Sequence, residues 1–500
     1  MTPTRRPRLG GPPEGGPALE LIESGFALEN ADASFLHRGL NLADIAHALD
    51  LGRRGLTPPD AQRALLALLL EVAQMSAEDF PYDPTYGEPY NSRERYFVSR
   101  IGELAGWLHA GRPRREAARI ALRLHLRRLI TELADEAVGF VFELAERAEE
   151  HARTLLPDQT YLQQAQPSTF GHYLLSFGYS TVRDVGRLLD ELDWVDASPG
   201  GAGCVNGTRL LDDRGPVADA LGFQGVIPHT RDAMWQVDGL IHLLATAASL
   251  LSNFSKLAED LEIFSSSEFD FVDLADAYTR ASILMPNKRN PYALAIVRGA
   301  SGVVVGRLTG FLAVTKSPSA RSDNLIFAYG EVPRTLELSL RITRLITGVV
   351  RTLRVNPARM REELDLGYTQ ATDLAEYLVQ TRAVDYRTAY RVVGQAVRAA
   401  SESGIPGAGI TGEMIDAAAL AHTGRDWGMA GVDLSEVLDP WRIVLSRTVE
   451  GGAAPAALAD MIRALRERLG SLAEQVGRRV AAFDQAESDL LAAAQRVVSG

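Results

Sequence analysis

Gly111 to Ala148 reads GRPRREAARIALRLHLRRLITELADEAVGFVFELAERA. After Pro113, the residues Leu122, Leu126, Leu129, Leu133, Ala137, Val141, Leu144 and Ala148 recur every three or four positions, the spacing of one helix face. Only Gly139 weakens the pattern. At 1.5 Å per residue, about 40 residues make a rod on the order of 60 Å long. That is too long for one small globular core and points to a helix bundle, often an oligomeric one.

Working outward, helical spacing also runs from Asp232 to about Ile263, from Tyr292 to about Val314 and from Val332 to about Leu353. An Ala-, Arg- and Glu-rich pattern closes the chain from Ala456 to Val498. Strand-like alternation is nearly absent, so the predicted class is all-α. Shorter helical patterns fill Leu19 to Val72, with Thr57 as an N-cap and Pro58 in a first turn. Phe80 to Tyr90 reads as an irregular connection. These shifts predict a disordered leader over residues 1–18 and an N-terminal helical domain over 19–112. A central long-helix bundle over 113–354 and a C-terminal helical domain over 355–500 complete the division.

The chain has 500 residues, 46% of them hydrophobic, enough to bury a large core. A net charge of −12 argues against nucleic-acid binding, which calls for a basic face. The single cysteine, Cys204, excludes an intrachain disulfide framework and fits a reducing cytoplasm. Met1 to Gly16 lacks the apolar run of a signal peptide, and no charge-free apolar stretch of about 18 residues predicts a membrane span. The nine histidines show no close-spaced ligand pattern, so no metal is expected. Gly200-Gly201-Ala202-Gly203 follows a helical pattern rather than a strand, which argues against a dinucleotide loop, and no cofactor is expected. Gly302, Gly306 and Gly310 are read as allowing close helix packing.

The chemistry is expected in DAYTRASILMPNKRNPYALAIVRG, Asp276 to Gly299. Ser282 supplies a hydroxyl, Lys288 a cation and Asn290 an amide, on a backbone restricted by Pro286 and Pro291. Helical spacing returns after Pro291, read as a first-turn proline, so the loop leads into a helix N-terminus that favours anions. These groups together suit a substrate carboxylate. An ordinary polar surface loop is the alternative, and spacing alone does not decide between them.

Ala281 to Pro291, ASILMPNKRNP, resembles the signature loop G-S-S-x-M-P-x-K-x-N-P of the argininosuccinate lyase, fumarase and aspartase superfamily, matching six of its eight fixed positions. Thr160 to Pro167, TYLQQAQP, is similar to the family's T-H-L-Q-x-A-Q-P, and Ala371 to Leu378 and Asp439 to Pro455 also resemble argininosuccinate lyase. The resemblance implies a homotetramer of long helices with each active site built from three subunits. It also implies a lyase that eliminates fumarate from a small succinyl-type carboxylate. Ser282 then falls at the catalytic base, Lys288 and Asn290 stabilise the charge that develops on the carboxylate, and Thr160 and Gln163 hold the distal carboxylate. Read without the family, Thr160 and Gln163 are helix-end polar residues.

Departures from the pattern bear on the substrate. Tyr161 replaces the family's histidine, and Ala295 replaces the glutamate that pairs with it. Tyr161 is the remaining candidate acid, although a phenol with an ordinary pKa near ~10 matches neutral pH less well than imidazole. Tyr90 stands for another family histidine. In the G-R-S-R-N-D-Q segment Arg112 and Arg114 are kept, while Pro113, Arg115 and Ala117 are new. Arg321, Asp323 and Ile326 replace tyrosine, lysine and glutamine. Candidate substrate-binding residues are thus Thr160, Gln163, Arg114, Arg115, Tyr90, Arg321 and Asp323. Gained arginines favour carboxylate or phosphate partners and fit a guanidino substrate poorly. His172 is read mainly as structural, and His229 either points into the site or caps the next helix. The leading expectation is a substrate-shifted lyase that breaks a C–N bond, or alternatively a C–O bond. A divergent true argininosuccinate lyase and a non-catalytic helical tetramer are the alternatives.

Overall fold

A computed structural model of the chain describes residues 16–319 and 326–500. The expected leader falls outside the described residues up to position 15. The N-terminal region contains α1 (Ala33–Arg53), α2 (Pro59–Val72) and α3 (Pro89–Ile101). Helix α2 starts one residue later than its sequence suggests: Pro58 takes the extended N-cap position and Pro59 opens the helix, while Thr57 makes no cap. Ile45, Leu65, Leu69 and Val72 bury their side chains together with Phe97 and Leu108.

Helix α4 (Arg114–Glu150) is continuous for 37 residues, about 55 Å. Pro113 precedes it in an extended conformation; Arg114 and Arg115 open its first turn and Glu149 and Glu150 close its last, so its terminal charges run against the helix dipole and packing, not capping, holds it. Strands β1 (Leu155–Thr160) and β2 (Gln163–Thr169) then form an antiparallel hairpin, so Thr160 and Gln163 sit at strand ends and not at a helix end. Helix α5 (Phe170–Val195) follows. The single helix expected from Asp232 is two: Thr230–Trp235 ends at Gln236, and α6 (Asp238–Phe264) begins after it. Next come β3 (Val272–Asp273), β4 (Arg280–Ala281) and β5 (Arg289–Asn290), then α7 (Tyr292–Thr315), α8 (Glu331–Thr352) and β6 (Arg354–Val355). Pro291 takes the N-cap of α7 and not its first turn. Short helices between Pro357 and Ser446 enclose their own core around Leu374, Val392 and Ile415. Helix α9 (Pro455–Ser499) closes the chain.

The fold is all-α, with strands confined to three two-stranded ribbons among the described residues. Helices α4 to α8 share one core that includes Leu133, Val141, Phe140 and Phe254, the last two meeting edge to face at 4.8 Å. Ion pairs fix the helix directions. Glu136 with Arg344 and Glu143 with Arg351, both 2.7 Å, make α4 and α8 parallel. Arg123 donates to Trp194 O and Val195 O, and Tyr173 donates to Asp260 at 2.9 Å, so α5 runs opposite to α4 and α6. Arg298 with Glu259 and Glu262, and Arg307 with Glu331, make α7 antiparallel to α6 and α8. One end of the bundle therefore carries the starts of α4, α6 and α8. The other carries both chemically interesting hairpins.

Helices α6 and α7 are long and apolar enough, by length and composition alone, to cross a membrane. Helix α6 is a core helix of the bundle. Helix α7 holds Arg298 and Arg307 in ion pairs and leaves Ile296, Val303, Val305 and Leu312 exposed. A Cβ added at Gly302, Gly306 or Gly310 would meet nothing within 4 Å, so these glycines admit no neighbouring helix within this chain.

Candidate active site

The β4–β5 ribbon is the signature stretch. Arg280 pairs with Asn290 and Ala281 with Arg289, turning the expected loop into a hairpin. Arg289 ties it down through Asp273, Asp276 and the Leu274 carbonyl. Asn290 Nδ2 donates to Arg280 O at 3.0 Å. The Ser282 hydroxyl accepts from Met285 N–H at 3.0 Å, and Lys288 N–H donates to Met285 O at 3.1 Å. An N–H directed at the Ser282 oxygen favours its anionic form, as a serine acting as base requires. The Lys288 ammonium makes no hydrogen bond or ion pair among the described residues. Ile283 and Leu284 stand in solvent, the latter 83% exposed.

Tyr161 and Leu162 form the two-residue turn of the β1–β2 hairpin, with φ of 55° and 58°. Such turns want Asn or Gly, since positive φ costs other residues about 1–2 kcal/mol each. The strained turn holds Tyr161 99% exposed. Thr160 and Gln163 flank it, both exposed. Gln163 also lines a cleft of about 520 Å³ with Phe269, Phe271, Glu363 and Tyr368.

At the far end of the bundle Tyr90 departs from its expected role. It is 3% exposed, and its hydroxyl donates to Asp44 at 2.9 Å and accepts from Arg112 at 2.8 Å. Arg93 donates to the second Asp44 oxygen at 2.7 Å. Burial alone would raise the Asp44 pKa, but the Arg112 and Arg93 guanidinium groups hold it below the ordinary carboxylate range. Burial, with Asp44 beside it, pushes the Tyr90 phenol up. The hydroxyl is committed to structure. Arg114 is exposed, donating to Asn91 at 2.7 Å and pairing with Glu88. Arg115 lines a pocket of about 70 Å³ with Asp32, Tyr90, Arg119, Ile326 and Tyr329. Arg119 went unremarked in the sequence, where only its position one turn beyond Arg115 signals it. Arg321 and Asp323 lie outside the described residues.

The remaining sequence candidates resolve into structural roles. His229 Nδ1 accepts from Arg231 N–H and Asp232 N–H, capping the helix. His172 contacts Gly451 O at 3.0 Å. Glu116 accepts from Gly201 N–H and Gly203 N–H at 2.7 and 2.8 Å, so that glycine loop cradles a carboxylate of its own chain. Among the described residues no group of three or more His, Cys, Asp or Glu side chains is placed to hold a metal.

The structure therefore brings Ser282, Lys288 and Asn290 onto one hairpin and Arg115 into a pocket, but not the two together. The hairpin leads into the start of α7, whereas Tyr329 directly precedes α8 at the other end of the bundle. The 24 residues of α7 separate these ends, about 36 Å at 1.5 Å per residue.

Residues 29–306 match the family model described as Lyase, and residues 368–444 match the argininosuccinate lyase C-terminal model. The argininosuccinate lyase of Methanococcoides burtonii is 32% identical over 99% of each chain. That of Methanoculleus marisnigri is 32% identical over 90% of each. The crystal structure of EDDS lyase in complex with formate superposes with a TM-score of 0.87, at 26% identity over 97% of each chain. A variant of EDDS lyase with bound fumarate superposes equally well.

Proposed function

The chain belongs to the lyase family of argininosuccinate lyase and its fumarase and aspartase relatives, and from that premise we propose that it eliminates fumarate from an N-substituted aspartate other than argininosuccinate. Ser282 removes the proton beside a carboxylate. Lys288, Asn290 and the start of α7 stabilise the charge that builds on that carboxylate, where it counts most for rate. Thr160 and Gln163 hold the second carboxylate, and Tyr161 protonates the departing nitrogen. The observation that carries this reading is the hairpin itself: a serine oxygen already receiving an N–H, on the same ribbon as an ammonium that has no hydrogen bond or ion pair among the described residues. Fumarate bound to the structurally similar EDDS lyase supports the product.

The site is completed between subunits of a homotetramer. Support comes from the separation of the half-sites, the exposed apolar side chains and open glycines of α7, and the solvent-facing Ile283 and Leu284. Ala295, in place of the family glutamate, lies on an exposed face of α7. Tyr161 and Ala295 together remove an acid–base pair, and Arg115 adds a cation where a guanidino substrate would be repelled. The second reading, a divergent argininosuccinate lyase, is favoured by the naming of the curated relatives.

The deciding experiment follows absorbance in the fumarate band for the purified protein with argininosuccinate, adenylosuccinate, aspartate and a series of N-substituted aspartates. Fumarate from a substituted aspartate but not from argininosuccinate is the expected result. Ordinary turnover of argininosuccinate would establish the second reading instead.

A further inference from the structure

The two faces of the β4–β5 ribbon carry different residues. Directly opposite residues of an antiparallel pair share a face, and successive residues alternate between faces. Ala281 and Arg289 form one such pair, and Arg289 turns from it to Asp273, Asp276 and the Leu274 carbonyl. That face is the anchor. Arg280 and Asn290 form the neighbouring pair, on the opposite face. The Ser282 N–H donates to Lys288 O at 3.3 Å, which carries the register one pair further. Alternation then puts Arg280, Ser282, Lys288 and Asn290 together on the free face. Opposite Cα atoms lie about 5 Å apart and next-but-one neighbours about 7 Å, a patch that one small anion can span.

Arg280 is exposed, and its side chain makes no hydrogen bond or ion pair among the described residues. The acids just before it, Asp273 and Asp276, are taken by Arg289. Its guanidinium carbon lies 5.0 Å from the centroid of the Tyr292 ring, in the first turn of α7. A guanidinium held against an aromatic face is partly oriented, and its in-plane N–H donors stay open to a carboxylate. The reaction calls for such a group. Ser282 takes the proton from carbon, and the C–H electron pair moves into the adjacent carboxylate, which then carries two negative oxygens. That pair returns to form the C=C bond as the C–N bond breaks, and the nitrogen leaves with the C–N pair and gains a proton. Two negative oxygens are best answered by cations already in place where the charge develops. We propose that Arg280 is a further catalytic residue, pairing with the carboxylate beside the deprotonated carbon and, with Lys288, holding it in its doubly charged form. The assignment rests on the lyase reading above.

Two ligands separate this role from ordinary anion binding and from packing. Succinate offers a carboxylate in its ordinary charge state. The preformed nitronate of 3-nitropropionate presents two negative oxygens on a planar group, as the intermediate does. Calorimetric titration of the purified protein should show the nitronate binding at least about 100-fold tighter than succinate, as a mimic of the charged intermediate does. Arg280→Gln should reduce that preference at least about tenfold, and Arg280→Lys should restore part of it. Equal weakening of both ligands, the mark of a packing role through Tyr292, overturns the assignment. So does a native protein that lacks the preference. With whichever substrate releases fumarate, Arg280→Gln should lower kcat by about 10²–10³-fold and leave KM nearly unchanged; a loss confined to KM overturns the assignment. If no substrate releases fumarate, the lyase reading fails separately, and the two titrations alone uphold or overturn Arg280 as the residue that answers the doubly charged group.

Discussion

Around Asp44 the chain answers its own charges: Arg93, Arg112 and Tyr90 occupy both carboxylate oxygens, all of them buried. Around Ser282 it does the opposite, leaving Lys288 without a partner among the described residues and apolar side chains in solvent. Both clusters are rich in arginine, and neither is an accident of composition. The first has the form of a structural lock, since a buried charge is tolerable only when paired. The second, on the proposed reading, is half a site whose open polar groups another subunit completes.

The comparison can be broken most sharply at Ser282. Ser282→Ala should lower kcat by about 10²–10⁴-fold, the worth of a positioned base, while sedimentation shows an unchanged oligomer. Unchanged turnover would reduce the hairpin to a structural element. Next in size, Asp44→Asn should cost about 3–5 kcal/mol of stability, because it leaves two buried guanidinium groups short of their anion. Urea unfolding measures it, and a loss below about 1 kcal/mol, typical of an exposed pair, would show that the lock is not one.

Leu162→Gly probes the strained turn. Glycine accepts positive φ freely, so stability should rise by about 1 kcal/mol as the Tyr161 tip loosens and turnover falls. A gain in both would mean that the strain serves no purpose at the site. The smallest effect concerns His125, whose pKa burial lowers to about 4 from 6.5. A depressed folded-state pKa contributes stability above pH 6.5 that is lost as pH falls toward 4. His125→Leu should therefore show a smaller drop in urea midpoint between pH 7.5 and pH 5 than the native chain. An equal drop would place the acid sensitivity elsewhere, with His47 the next candidate, its pKa lowered to about 3 by burial.

What the sequence made legible follows from how much chain carries each signal. The 37 residues of α4 repeat one period ten times over and could scarcely be misread. The Tyr161 hairpin hid because LLPDQT and QQAQPST do not alternate and their turn is Tyr-Leu where Asn-Gly would announce itself. Ser282, Lys288 and Asn290 fall together on one hairpin, rather than the loop expected, because they are close in sequence. Motif position failed for Tyr90, because a motif says which residue stands at a position but not that Asp44, 46 residues earlier, has claimed its hydroxyl.

Helix α4 has a further consequence, which concerns what changes this chain can accept. It begins at the arginine pocket and ends just before the Tyr161 hairpin, so it sets the spacing between the two. Replacing one apolar residue with another along it perturbs packing locally. Inserting a single residue would turn everything beyond it by about 100° and push it about 1.5 Å along the axis, out of step with α8 and its Glu136 and Glu143 pairings. Lineages of this protein should drift freely in the letters of α4 and hardly at all in their number.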